Sequence, residues 1–336
     1  MSASHAPTAP RTTVVVVNYD GGERLWQCLD ALAADGETDR ELVVVDNGPP
    51  DAPGIRPRLE AFADAGRCEL LTPARNLGYA GAINLALARA KGQYLAVLNM
   101  DVAVEPGWLD PLVCFLDAHR HVAAVNPALL LAGGQCINAT GQEVHVSGLG
   151  FNRGLGAPRA ELPSAPFEVA GLQGAAFVVR RDMLQELGGM DAAGFLYHED
   201  VNLSWLLRLA GHELWCVPAS VVHHDYTLSM QPQKFHYLER NRLALLAAYP
   251  RLATLLLLSP WLLATELMAW GFAALRGIPF VRAKASGYGW LLRRRGELMQ
   301  RRRLVQSLRR VGDRKVVRHL RFGYLWRQFL VLGRER

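Results

Sequence analysis

The chain has 336 residues, half of them hydrophobic and 20% charged, against about a quarter charged in ordinary soluble proteins, so a sizeable core is available to it. Its net charge of +6 is confined to one end: from Arg282 to Arg336 there are seventeen Lys or Arg and three acids, and the rest of the chain is net acidic, which excludes a uniformly basic protein. Five scattered cysteines, without a Cys-x-x-Cys pair or zinc-type spacing to histidine, predict reduced thiols in a cytosolic chain.

Residues 1–12 are polar and rich in Pro and Ala, without the apolar core of a signal peptide, and are expected to form a short disordered lead. Val14–Val17 is a β-branched run ending in the turn Asn18-Tyr19-Asp20-Gly21-Gly22, and Leu25, Leu29 and Leu32 then recur at helical spacing. Leu42–Val45 is a second run, ending in Asp46-Asn47-Gly48. A short helix around Leu59–Ala65, a strand at Cys68–Leu71, a helix at Gly81–Ala90 and a strand at Tyr94–Leu98 follow. Trp108–Leu116 reads as a helix and Val122–Val125 as a strand. Strands that are apolar at every position suit a parallel sheet covered on both faces, so the class is α/β, doubly wound. Such sheets take ligands outside the carboxyl ends of their strands, and three of those ends carry polar residues.

From Pro127 to Ser164 the chain is irregular and glycine-rich, as loops or a hairpin would be. Order returns at Gly171–Val179 and Met183–Leu187. Asp200–Ala210 reads as a helix capped by Gly211, and His212–Val217 as a last strand ending at Pro218. Leu252–Leu275 is long and apolar enough to span a bilayer. A single span would leave the basic tail on the far side, against the positive-inside rule. Pro260 and Glu266 interrupt it and suit an element lying at a membrane surface; a buried pair of core helices is the other reading.

Asn99-Met100-Asp101 ends a strand, where residues two apart can share a face. A carboxylate there can hold a hard cation, which in turn binds phosphate; a simple turn uses the same residues. Asp46-Asn47 suits either an Asx turn or contact with a nucleotide. Arg75-Asn76-Leu77-Gly78-Tyr79-Ala80-Gly81 opens a helix, whose N-terminus favours anions, and Arg75 adds positive charge. It is not Gly-x-Gly-x-x-Gly and does not follow the first strand, which argues against a dehydrogenase. Tyr197-His198-Glu199-Asp200 precedes a helix: Asp200 is either an N-cap or a carboxylate placed to take a hydroxyl proton. His223-His224-Asp225 is structural or completes a metal site with Asp101.

Taken together, these segments resemble family 2 glycosyltransferases of the rhamnosyltransferase-like type. The ordered set is Val16-Val17-Asn18-Tyr19, Val45-Asp46-Asn47-Gly48, Arg75–Gly81, Leu98–Asp101, Gly174-Ala175-Ala176-Phe177, Gly188-Gly189-Met190-Asp191, His198-Glu199-Asp200-Val201 and Pro218–Tyr226. It covers about Thr13 to Arg242, with further likeness at Lys234–Leu243.

The resemblance implies a GT-A nucleotide-diphospho-sugar transferase fold, Rossmann-like and mostly parallel, over residues 13–242. Residues 243–336 would form an apolar, then basic, helical region at the membrane surface. It implies inverting transfer of a sugar, with rhamnose the family's suggestion, from a nucleotide-sugar donor to a glycan or lipid-linked acceptor in polysaccharide or glycolipid synthesis. Tyr19 and Asp46 would contact the donor's base with Arg75 nearby, and Asn18, Asn47 and Gly78 would belong to the same site. Asn99 and Asp101 occupy the Asp-x-Asp position, so Asp101 would help hold Mg²⁺ or Mn²⁺ against the diphosphate. Asp200 matches the catalytic base, with Glu199 beside it, and His224, rather than His223, a metal or diphosphate ligand.

The chain departs from the family in having Asn99 for the first Asp, Asn202 for an Asp and Leu206 for an Arg, which removes one carboxylate from the metal-binding position and changes the charge of the site. The expected location is cytoplasmic, on the inner face of the plasma membrane, with anionic lipid and no nucleic acid as partner. The rival readings are another α/β nucleotide enzyme, such as a sugar nucleotidyltransferase, and a non-catalytic basic binding protein.

Overall fold

The computed structural model describes residues 10–49, 54–227 and 229–329. In chain order these form β1 (Thr12–Asn18), α1 (Gly22–Asp35), β2 (Arg40–Asp46), α2 (Ile55–Asp64), β3 (Glu69–Leu71), α3 (Gly78–Leu87), β4 (Tyr94–Asn99), β5 (Val102–Val104) and α4 (Leu109–Ala118). Next come β6 (Val122–Leu131), β7 (Ile137–Ala139), β8 (Gln142–Val144), β9 (Gly150–Asn152), β10 (Phe167–Glu168), β11 (Ala176–Arg180) and α5 (Arg181–Glu186). The chain continues through α6 (Glu199–Leu209), β12 (Glu213–His224), α7 (Pro232–Ala248), α8 (Leu252–Arg276), α9 (Ile278–Arg293), α10 (Arg295–Leu308) and α11 (Asp313–Val317). Residues 1–9 of the expected lead lie outside the described residues, and Thr12 is already a buried part of β1.

The main sheet runs β10-β12-β6-β11-β4-β1-β2-β3, with β5 on β12 and β7 on β6. β3, β2, β1 and β4 are parallel, as are β6 and β12, but β11 enters antiparallel to both β4 and β6, and β5, β7 and β10 also pair antiparallel. The sheet is therefore mixed, which corrects the expectation of a mostly parallel one. A run such as Ala176–Arg180 is buried throughout on either strand direction, so its composition does not report which way it runs. Side chains alternate across the sheet: Val15 and Val17 pack with α3 and α6 residues on one face, Val14 and Val16 with α1 and α4 residues on the other.

Two further differences matter for function. Pro218 does not end the last strand; β12 continues to His224 through a register shift between Val217 and Val221, and so delivers His224 to the carboxyl end of the sheet. The expected division at 242/243 falls inside α7. Arg242 makes a two-pronged contact with Glu239 (2.7 and 2.9 Å), and both join Lys284 and Glu266 in a buried network that fastens α7 to α8 and α9. Near its C-terminus the described chain returns to the β8–β9 hairpin, where Gln328 bonds both backbone groups of Asn152.

Candidate active site

Asn18, Asp46 and Asn99 end neighbouring parallel strands, with Asn18 in register with Asp46 and Val17 with Asn99. Asn18 is occupied within the fold: its Nδ2 donates to Asp46 Oδ1 (2.9 Å) and its Oδ1 accepts from the Gly21 N–H (3.0 Å). Asp46 also accepts from Arg56 Nε on α2 (2.8 Å), and Arg56 Nη2 beside it is buried without a hydrogen-bond partner. Asn47 accepts from the Leu77 N–H (2.8 Å) and donates to Asn76 Oδ1 (2.9 Å) and the Gly78 carbonyl (3.2 Å), so it ties β2 to the turn that opens α3. Tyr19, 51% exposed, and Arg75, exposed, are the donor-side residues that present side chains outward.

Gly78 is required where it stands. Its φ is +72°, and a Cβ there would collide with the Phe195 carbonyl, whose oxygen accepts from the Tyr79 N–H (3.0 Å). This contact seats the segment that leads into α6. Phe195, Tyr197 and His198 all hold positive φ, a conformation that costs non-glycine residues free energy and persists only under external constraint. Asn241 of α7 supplies that constraint by donating to the carbonyls of Gly194, Leu196 and Tyr197 (2.8–3.0 Å). His198 points away from the site, to the Gly148 carbonyl (2.7 Å), and burial lowers its pKa to about 4.

Glu199 and Asp200 begin α6, so neither is its N-cap. Asp200 Oδ2 accepts from Gln142 Nε2 (2.7 Å) and the Gly174 N–H (3.1 Å), and Oδ1 from the Val201 N–H (2.8 Å). Burial raises its pKa while these donors oppose the rise. Glu199 is pushed up to about 8, first by burial and then by the charge of Asp200. The Tyr79 hydroxyl donates to the Gly174 carbonyl (2.7 Å), and its pKa is raised by burial and then by Glu199, Asp200 and Asp101. Gly174 thus joins Tyr79 to Asp200, and the next carbonyl, that of Ala175, accepts from the Asn99 N–H (2.8 Å) at the end of β4.

Across the site, His224 Nε2 lies 3.5 Å from Asp101 Oδ1, and His224 Nδ1 lies 2.9 Å from Asn138 Oδ1. His223 is turned to Glu105 instead (2.9 Å). Asp101 Oδ1 and Asn99 Oδ1 are both buried without a hydrogen-bond partner. Among the described residues no three His, Cys, Asp or Glu gather as ligands, so the chain offers two, Asp101 and His224. Orphaned buried oxygens beside an imidazole suit a hard divalent cation that takes its other ligands from phosphate and water. A cavity of about 140 Å³ opens beside Asp101, between Arg24 and Cys28 of α1 and His223 of β12.

Of the residues singled out in the sequence, Asp101 and His224 come together, and Asp200 is joined to Asn99 through the Gly174-Ala175 backbone. Gln142, Asn138 and Arg56 were not foreseen. The first two lie in the stretch read as irregular, and no local pattern marks them.

A profile of glycosyl transferase family 2 matches residues 13–188. The chain is 28% identical over 234 residues to the N-acetylglucosaminyl-diphospho-decaprenol L-rhamnosyltransferase of Mycobacterium tuberculosis, covering 63% of this chain and 75% of that one. It is 31% identical over 231 residues to the pre-mycofactocin glycosyltransferase of the same organism, covering 67% of this chain and 45% of the relative. Among solved structures, its fold is similar to that of GalNAc-T7 with UDP, GalNAc and Mn²⁺ (TM-score 0.58, 18% identity, 73% of this chain and 49% of that chain). It is also similar to that of the mannosyltransferase PcManGT from Pyrobaculum calidifontis with GDP-Man and Mn²⁺ (TM-score 0.50, 18% identity, 90% and 86%).

Proposed function

The chain belongs to glycosyl transferase family 2, and from that premise we propose that it is an inverting transferase that moves a sugar from a nucleoside diphosphate to a hydroxyl of a lipid-linked or glycan acceptor. The observation that carries this reading is that the Gly174-Ala175 backbone joins Asp200 of α6 to Asn99 at the end of β4, two residues before Asp101, with His224 facing Asp101. Asp200 takes the proton of the acceptor hydroxyl. The oxygen then forms its bond to the anomeric carbon as the bond from that carbon to the diphosphate oxygen breaks, and the nucleoside diphosphate leaves with the electron pair. Asp101 and His224 would hold Mg²⁺ or Mn²⁺, which supplies positive charge against the diphosphate. Tyr19, Arg75 and the Asp46–Arg56 pair line the donor's side of the sheet, with Asn18, Asn47 and Gly78 shaping its floor. The M. tuberculosis relative named for L-rhamnosyl transfer makes a rhamnosyl donor the first to try.

The acceptor's setting follows from α8. Leu258, Thr265 and Ala273 of α8 face inward and Glu266, at the flank, reaches Lys284 (2.9 Å), while Leu252, Leu256, Leu263 and Leu267 share the exposed face, and α9, α10 and the joint between them add the exposed Arg293, Arg294, Arg295 and Arg303. Among the described residues one helix, Leu252–Arg276, is long and apolar enough to cross a membrane. A paired Glu266 and a one-sided leucine stripe instead support a helix lying in an anionic membrane surface, on its cytoplasmic side.

Calorimetric titration with UDP, dTDP, GDP and CDP, each with and without Mn²⁺ or Mg²⁺, tests the donor site. One diphosphate should bind selectively and more tightly with metal, and Asp101→Ala should remove the metal-dependent part. Folded protein that binds none of them overturns the reading.

A further inference from the structure

We infer that Asn138 is a positioning residue that sets the tautomer of His224 and thereby makes a cation site of the His224–Asp101 pair. The inference rests on the proposed metal-assisted transfer and adds to it a residue outside every motif that carries the family resemblance. Asn138 lies on β7, fully buried, and His224, 4% exposed, lies at the end of β12. Asn138 presents its Oδ1 to His224 Nδ1 at 2.9 Å and leaves its Nδ2 buried without a partner; with the oxygen on this side the neutral ring carries its proton on Nδ1 and donates it to the amide oxygen, and with the amide turned over the proton would sit on Nε2.

With the proton on Nδ1, Nε2 is a lone pair, and it faces Asp101 Oδ1 at 3.5 Å. Two acceptor atoms are thereby turned toward each other, and Asp101 Oδ1 has no donor to satisfy it. Left alone, such a pair repels and leaves a buried oxygen unpaired. A shared cation removes both penalties. Asn138 is suited to the task because its side chain is uncharged: it orients the ring from behind without adding charge to the buried face of the site. If the ring carried its proton on Nε2 instead, Asp101 would be capped by it and the site closed to metal.

The test has two arms, both read without turnover. In the unaltered protein without metal, ¹⁵N-histidine spectra, with His224 assigned by its disappearance in His224→Gln, should show the Nδ1–H tautomer. The Nε2–H tautomer overturns the inference, whatever the variants do. In the second arm, Mn²⁺ is titrated by electron paramagnetic resonance in the presence of the nucleoside diphosphate that binds best. Asn138→Leu should weaken Mn²⁺ by about 10–100-fold, the usual effect of losing an outer-shell partner, while Asn138→Asp, an obligate acceptor, should stay within about threefold of the unaltered chain. Equal Mn²⁺ affinity in Asn138→Leu and the unaltered protein overturns the role of Asn138 and leaves the proposed transfer standing. Absence of Mn²⁺ binding by the unaltered, folded protein overturns both.

Discussion

At Glu199, burial and then the neighbouring Asp200 carboxylate place the pKa near 8, so at neutral pH Glu199 keeps its proton, whereas Asp200 is the acid held by three N–H donors. That division gives the two acids different roles. Asp200→Asn should lower transfer by about 10²–10⁴-fold, the usual worth of a general base, with donor binding measured by calorimetry largely unchanged. Glu199→Gln, which imitates the protonated acid, should keep most of the activity at pH 7; a loss equal to that of Asp200→Asn would reverse the assignment. The same shift is a statement about stability. Because the folded value lies above the ordinary 4.5, the folded chain keeps a proton that the unfolded chain releases. Stability therefore falls as pH rises from about 4.5 to about 8 and loses no more beyond. Thermal melts across that range should show the slope in the unaltered protein and less of it in Glu199→Gln.

Among the elements, the segment before α6 decides whether those acids meet the donor side. It is held from α3 through Gly78 and Tyr79 and from α7 through Asn241, and its three positive-φ residues have no reason to stay in place without both. Gly78→Ala adds a Cβ against the Phe195 carbonyl at a φ that only glycine adopts freely. It should cost about 2 kcal/mol or more in chemical denaturation and lower kcat more than donor affinity. A variant that keeps full stability and kcat would show that the Gly78–Phe195 contact is not what holds the segment. The α7–α8–α9 network serves the same end from further away, because Glu239, Arg242 and Lys284 anchor the helix that carries Asn241.

For the whole molecule, the sidedness of α8 sets orientation: one face is spent on the catalytic part and the other is left apolar. Intact protein should float with anionic liposomes, less so at high salt as the arginines are screened. The triple substitution Leu256→Glu, Leu263→Glu, Leu267→Glu should abolish flotation while leaving soluble nucleotide binding intact. Equal flotation of the two proteins would remove the membrane role. Truncation at residue 241 would be a poor substitute, because it cuts α7 and strips Glu239 of Lys284.

Apart from β5, the strands and helices as far as Val125, and the polar ends of β1, β2 and β4, were legible in the sequence because each is a local pattern: an apolar run, a turn, a helical spacing. So was the pairing of Glu199 with Asp200, which are neighbours in the chain. Strand direction was not legible, since β11 looks the same run either way. Nor was the passage of β12 beyond Pro218, which depends on a register shift against β6. Gln142, Asn138 and Arg56 stand beside Asp200, His224 and Asp46 through contacts between residues 58, 86 and 10 positions apart. Local residue order named the candidate groups; only the tertiary packing, which joins distant segments through backbone hydrogen bonds and burial, decided which partners hold them in place.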